Sequence, residues 1–206
     1  YDEKSKKLVA YHESGHAIVG LNLENSNIVQ KVTIIPRGTA GGYNLMTPKE
    51  EKIMNTKNDL MSAITGYMGG RVAEQLKLDD ISIGASGDIK QATSMARAMV
   101  TEYGMSEKLG MINYGGDNNE VFIGRDLAHT RTYSEEVASE IDSEVKRIID
   151  ECYAKAKQII LDHEDVLHSC CALLMEKEKI GQAEFEALFQ DGEKPSGEAE
   201  TPVTEA

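Results

Sequence analysis

The sequence predicts a mainly α protein, a helical bundle with a small β-hairpin beside a metal site. Three observations carry that expectation. Apolar residues recur at helical spacing through several segments, most clearly from 134 to 161. A single run rich in β-branched residues, Lys31-Val32-Thr33-Ile34-Ile35, is followed by a glycine-rich turn and a short segment able to return beside it. The stretch His12-Glu13-Ser14-Gly15-His16 matches H-E-x-x-H in a proline-free, mixed-polarity setting flanked by Leu8, Val9, Ile18, Val19, Leu21 and Leu23.

Taken in order, the first helix is expected over residues 3–23, ended by a turn at Asn25, Ser26 and Asn27. A strand over 31–35 stops at Pro36, residues 38–42 form a flexible turn, and 43–46 return as a second strand. Thr56 with Asp59 has the form of a capping box opening a second helix, along which Leu60, Ile64, Met68 and Val72 recur. That helix also holds Gly66, Gly69 and Gly70. Each glycine costs a helix about 1 kcal/mol relative to alanine, so several together point to close approach of another helix or of the metal site. A loop over 83–88 enters a third helix with Ile89, Ala92, Ala96, Met99 and Tyr103 on its apolar stripe, closed by Gly104. Residues 110–125 read as a loop or minor hairpin. From 134 to 161 a long amphipathic helix carries Val137, Ile141, Val145, Ile148, Cys152 and Ile159 on one face. A second helix holds Val166, Leu167, Cys170, Leu173 and Leu174, and a short third holds Phe185, Leu188 and Phe189, completing an antiparallel bundle. Residues 1–190 are read as one domain and 191–206, rich in Gly, Pro, Glu and Thr, as a disordered tail.

Composition narrows the function. A net charge of -13 over 206 residues repels phosphate backbones and argues against nucleic acid as a partner. No apolar run approaches the ~18 residues that span a bilayer, and the chain opens on Tyr1, so it is expected to be a soluble fragment or processed form. Cys152, Cys170 and Cys171 show no C-x-x-C spacing, which suits buried thiols in a reducing compartment. A second metal site built from His163, His168, Cys170 and Cys171 would match no zinc spacing, and helix-core cysteines are the better reading.

The H-E-x-x-H motif has a mechanical basis. Residues four apart on an α-helix lie about 40° apart around its axis, so His12 and His16 can turn two imidazoles toward one ion. Glu13 stands beside them, placed to take a proton from water at that ion. A catalytic zinc needs a third protein ligand. The metzincin extension is ruled out, because Val19 and Asn22 occupy the places of its glycine and third histidine. Spacing alone leaves Glu74, Asp88, His129, His163 and His168 as candidates. For Asp88 the default role is a carboxylate favoured by the helix dipole, and for Glu74 a solvated charge or a hydrogen bond to one imidazole.

A longer set of strings adds to this reading. His12-Glu13-Ser14-Gly15-His16-Ala17, residues 31–38, Gly69-Gly70-Arg71-Val72-Ala73-Glu74, Gly84-Ala85-Ser86-Gly87-Asp88-Ile89, residues 99–106 and Phe122-Ile123-Gly124-Arg125-Asp126 together resemble the peptidase domain of the FtsH family, collinearly over about 5–190. The family comprises membrane-anchored, ATP-dependent AAA+ zinc metalloproteases. The resemblance implies one Zn²⁺ per subunit on His12, His16 and Asp88, with Glu13 as the base. It implies a substrate strand at Gly42, Tyr43, Asn44, Leu45 and Met46, where a peptide would add to a sheet edge through main-chain bonds. It further implies a homo-hexameric ring, unfolded polypeptide substrates, and a role in quality control of membrane and soluble proteins. The full-length form would be membrane-anchored, with this domain in a cytoplasm-like compartment such as the bacterial cytoplasmic side or its organelle equivalent. ATP would serve only an ATPase module, and no G-x-x-x-x-G-K-[ST] occurs in this chain. The alternative of a non-catalytic oligomerisation module has no need of two histidines and a glutamate in this pattern.

Overall fold

The computed structural model describes residues 2–38, 40–115 and 131–192. Along the chain run α1 (Glu3–Leu21), β1 (Asn27–Thr33), β2 (Tyr43–Pro48), α2 (Lys57–Lys77), α3 (Ser86–Thr101), α4 (Glu135–Asp162), α5 (Glu164–Lys177), β3 (Lys179–Gly181) and α6 (Gln182–Gly192). The fold is mainly α with one small antiparallel sheet, as the sequence predicts.

Helix α1 is the centre of the domain. Asp2 caps it, its carboxylate accepting the Ser5 amide at 2.7 Å. From residue 10 to 20 every side except that of His16 is buried, against α2, α4, α5, β1 and β2. The helix stops at Leu21, not 23, because the Asn22 side chain bonds the Ile18 carbonyl at 2.7 Å while its backbone N–H turns to Ile18 and Val19. Leu23 is apolar because it packs in the core beyond the helix end.

The capping box of α2 forms as expected, Thr56 and Asp59 exchanging backbone-to-side-chain bonds of 2.8 and 3.2 Å. The glycine reading also holds. A Cβ on Gly69 would fall 2.7 Å from the Gly15 carbonyl oxygen, so α1 and α2 touch backbone to backbone.

Strand β1 pairs antiparallel with β2, Asn27 opposite Pro48 and Thr33 opposite Tyr43, with a bulge between Val29 and Lys31. It begins inside the expected turn and ends before Ile34, whose amide instead bonds the Glu178 carbonyl. On its other edge lies β3, giving the order β2-β1-β3. This third strand was not anticipated: three residues are too few to show an alternating pattern, and the turn into it uses Glu178 at φ 67 rather than a glycine.

The stripe on α3 holds in its middle, where Ala92, Ala96 and Met99 are buried, but Ile89 and Tyr103 at its ends are exposed. On α4 the face from Ile141 through Val145, Ile148 and Cys152 to Ile159 lies in the core, and all three cysteines are free and buried. Helix α6 continues to Gly192, past the expected start of the tail. Residues 116–130, with the far part of the 110–125 loop and His129, and the tail from 193 lie outside the described residues. Among the described residues no helix is long and apolar enough to cross a membrane.

Candidate metal centre

Three elements bring the site together. On α1, His12 and His16 turn their rings toward the start of α3, where Asp88 sits in the first helical turn. His16 Nε2 lies 3.1 Å from His12 Nε2 and 3.1 Å from Asp88 Oδ2, and His12 Nε2 lies 3.7 Å from the same oxygen. A tetrahedrally held zinc, about 2.0–2.1 Å from each donor, sets its donor atoms about 3.3 Å apart. The three distances bracket that value. Among the described residues this is the one group of three or more His, Cys, Asp or Glu side chains so converged.

Hydrogen bonds on the far side of each ring select the tautomer. His12 Nδ1 lies 2.7 Å from Glu74 Oε2, and His16 Nδ1 lies 3.0 Å from the Gly66 carbonyl. Both partners are acceptors, so each Nδ1–H donates and each Nε2 lone pair is left facing the other. Two lone pairs and a carboxylate oxygen at such distances repel unless a cation lies among them.

Charge makes the same point. Glu13, Glu74 and Asp88 surround the two imidazoles, and among the described residues no lysine or arginine pairs with any of the three. Without metal, a proton supplies the missing charge. Burial alone would depress the His12 imidazole, but the carboxylates of Asp88, Glu74 and Glu13 outweigh it and raise it to about 9. Burial likewise pushes Asp88 up, and its bonds to His12 and His16 more than reverse this, leaving it well below the usual carboxylate range. The donor set and its protonation therefore fit a divalent cation of the zinc class.

Glu74 is not placed as a ligand. Besides holding His12 Nδ1, its second oxygen accepts the Ser82 amide at 2.8 Å, and Arg71 Nη2 donates to the Ser82 carbonyl at 2.7 Å. These bonds anchor the loop that delivers Asp88 through a 3-10 turn at Ile83–Ala85. Gly70 gives the His12 ring its room, since a Cβ there would meet the ring at 2.5 Å. The other candidates stand apart from the cluster: His168 bonds Tyr11 at 3.0 Å, and His163 packs edge-on against Phe189. The four-residue set of His163, His168, Cys170 and Cys171 does not converge on one point.

Glu13 is buried, and burial raises its carboxyl against the opposing pull of His16, His12 and Asn44. Asn44 Nδ2 lies 2.5 Å from Glu13 Oε2 and 3.1 Å from the Glu13 carbonyl. Sequence reasoning assigned Asn44 to a strand and missed this bond. It missed the Gly66 carbonyl too, which the cluster of helix glycines pointed to only in outline. Strand β2 alternates: Asn44 and Met46 turn toward α1, while Leu45 faces solvent. Gly42, just before β2, is tight against α1, where a Cβ would approach Glu13 Cγ at 3.0 Å. A cavity of about 930 Å³ opens from His12, Glu13, His16 and Asp88, passes Asn44 and Met46, and reaches the start of α2 at Asp59 and Ser62. Strand β2, at the edge of the sheet, forms one wall of it.

The model of Peptidase family M41 matches residues 1–188. The chain is 54% identical over 195 residues to ATP-dependent zinc metalloprotease FtsH 1 of Thermoanaerobacter sp. (strain X514), covering 95% of this chain and 32% of that protein. It is 54% identical over 194 residues to ATP-dependent zinc metalloprotease FtsH of Caldicellulosiruptor bescii, covering 94% and 32%. Against the protein of that name from Bacillus subtilis (strain 168), identity is 44% over 194 residues, covering 94% and 30%. The chain thus spans about a third of the length of these relatives.

Proposed function

Because the chain belongs to peptidase family M41, we propose that it is a zinc-dependent endopeptidase domain with His12, His16 and Asp88 as metal ligands and Glu13 as general base. The observation that carries this reading is the triangle of Nε2, Nε2 and Oδ2 atoms, with both Nδ1–H groups turned outward to acceptors. Bound there, zinc supplies a Lewis acid that brings the pKa of water toward about 7 and polarises a carbonyl. Glu13 accepts the proton of the attacking water and returns it to the nitrogen of the departing chain. Its raised, buried carboxyl suits both halves of that transfer. Glu74 and the Gly66 carbonyl keep the two rings oriented throughout.

The substrate is an unfolded polypeptide lying extended along β2, bonded through the main chain of Gly42, Tyr43, Asn44, Leu45 and Met46. The edge position of β2 and its place on the cavity wall support this. Main-chain recognition is indifferent to side chains and suits the breakdown of many proteins. The names of the relatives support an ATP-driven partner module that delivers substrate, outside this chain. A homo-hexameric ring, a membrane anchor in the full-length protein, exposure to a reducing cytoplasm-like compartment and a quality-control role complete the proposal.

The test is a Glu13→Gln variant with anomalous scattering recorded at the zinc edge. The expected result is one zinc on His12, His16 and Asp88 in parent and variant alike, with casein cleavage by the variant reduced at least about 100-fold. Full cleavage by the variant, or a zinc peak without the Asp88 carboxylate, would refute the assignment.

A further inference from the structure

Asn44 stands out on β2. It lies opposite Val32, which is fully buried, and its neighbours on the inward face, Gly42 and Met46, pack against α1. An apolar side chain would suit that face. The amide instead sets Nδ2 against two acceptors of Glu13, the carbonyl oxygen at 3.1 Å and Oε2 at 2.5 Å. The main-chain carbonyl cannot donate, nor can the carboxylate in its ionised form, which favours this orientation of the amide. Its Oδ1 is consequently buried with no hydrogen-bond partner among the described residues. A buried polar atom left unpaired to keep another bond marks a position where local stability has yielded to the site.

We propose that Asn44 is a positioning residue for the base: it holds Oε2 of Glu13 so that Oε1, which bonds no described residue, faces the cavity and takes the proton. This rests on the peptidase reading above. The strand that would receive substrate is thereby tied to the base through one side chain, while the strand's main chain stays free to bind. The side chain points inward to α1, so its loss alters the placement of Glu13 and leaves the substrate edge unchanged. A general base contributes about 10²- to 10⁴-fold, and a misplacement of about 1 Å costs about 10²-fold.

Two variants separate positioning from packing. Asn44→Leu keeps the branching but is bulkier and has no donor, and Asn44→Asp preserves shape and size while presenting a carboxylate to Glu13. Both are expected to lower kcat for a fluorogenic peptide about 10- to 100-fold, with KM within about threefold and one zinc per chain retained. A second readout needs no activity. In the metal-free, ¹⁵N-labelled chain, one Asn44 side-chain amide proton should resonate downfield and move to the ordinary position in Glu13→Ala. The proposal is overturned if Asn44→Leu keeps kcat within twofold, if the loss lies in KM or zinc content, or if the amide resonance ignores Glu13→Ala. Should the zinc-loaded parent cleave no peptide, the peptidase reading falls, and the amide resonance still decides whether Asn44 holds Glu13.

Discussion

Replacing Gly70 by alanine sets helix propensity against metal binding. An ideal Cβ at this position falls 2.5 Å from His12 Cε1 and Nε2 and 2.7 Å from Nδ1. Ordinary contact needs about 3.5 Å, so ring or helix must give by about 1 Å. The ring is pinned by its 2.7 Å bond to Glu74. Withdrawing α2 would open the Gly15–Gly69 contact and stretch the 3.0 Å bond between His16 and the Gly66 carbonyl. Metal–donor distances tolerate only about 0.2 Å, so either response takes a donor out of reach. Loss of an outer hydrogen bond to a ligand costs about 10- to 100-fold in metal affinity, and displacing the ligand itself should cost at least the upper figure. The helix, meanwhile, gains about 1 kcal/mol from alanine against an overpacking cost of about 1–3 kcal/mol. Gly70→Ala should therefore unfold in EDTA within about 2 kcal/mol of the parent, yet lose about 100-fold or more in zinc affinity by competition with a chromophoric chelator. Zinc affinity within twofold of the parent, in a folded variant, would refute the reasoning.

Glu74→Gln keeps the shape but weakens the charge-assisted bond to His12, and zinc affinity in the same competition assay should fall about 10-fold. Metal uptake displaces the proton on His12, so apparent zinc affinity should rise about tenfold per pH unit from 7 to 9. In the metal-free chain His12 is raised from 6.5 to about 9, so its stabilising contribution is full below 6.5 and lost as pH rises through 9; urea unfolding in EDTA at pH 6 and 9.5 checks the sign. Burial pushes the Cys170 thiol up to about 12 and Cys171 to about 11, and raises Cys152, so Ellman's reagent at pH 8 should react with none of them in the folded chain and with all after denaturation.

What could be read from the chain follows the range of the interactions. The two histidines and Glu13 lie within one helical turn, and the capping box of α2 within four residues, so both are written locally. Asp88 lies far along the chain from His16, and spacing left it among five candidates; only the resemblance singled it out. The glycines of α2 signalled a close approach, but nothing in their spacing says that Gly69 meets Gly15 or that Gly70 meets an imidazole. Strand β3 exists because β1 offers it an edge, a tertiary cause that three residues cannot encode. The bond from Asn44 to Glu13 is of the same kind. It joins two segments each read correctly by itself, and its only mark in the sequence is a polar residue on the face of β2 that Val32 shares.

The base at the centre is held from β2 through Asn44, whereas α2 is common to both histidines. It supplies a carboxylate to His12, a main-chain carbonyl to His16 and the bare glycine surface against which the His12 ring lies. Ring orientation is therefore set by the distance between α1 and α2, and that distance is set by Gly15 and Gly69. A larger residue at either glycine would separate the helices and loosen both rings together. The reverse coupling follows by linkage: an ion that binds only the closely packed pair stabilises that packing, by about 4 kcal/mol at a thousandfold excess over its Kd. Since α1 is also the buried centre of the domain, against α2, α4, α5 and the sheet, an ion bound at its two histidines would be linked to the stability of the whole fold.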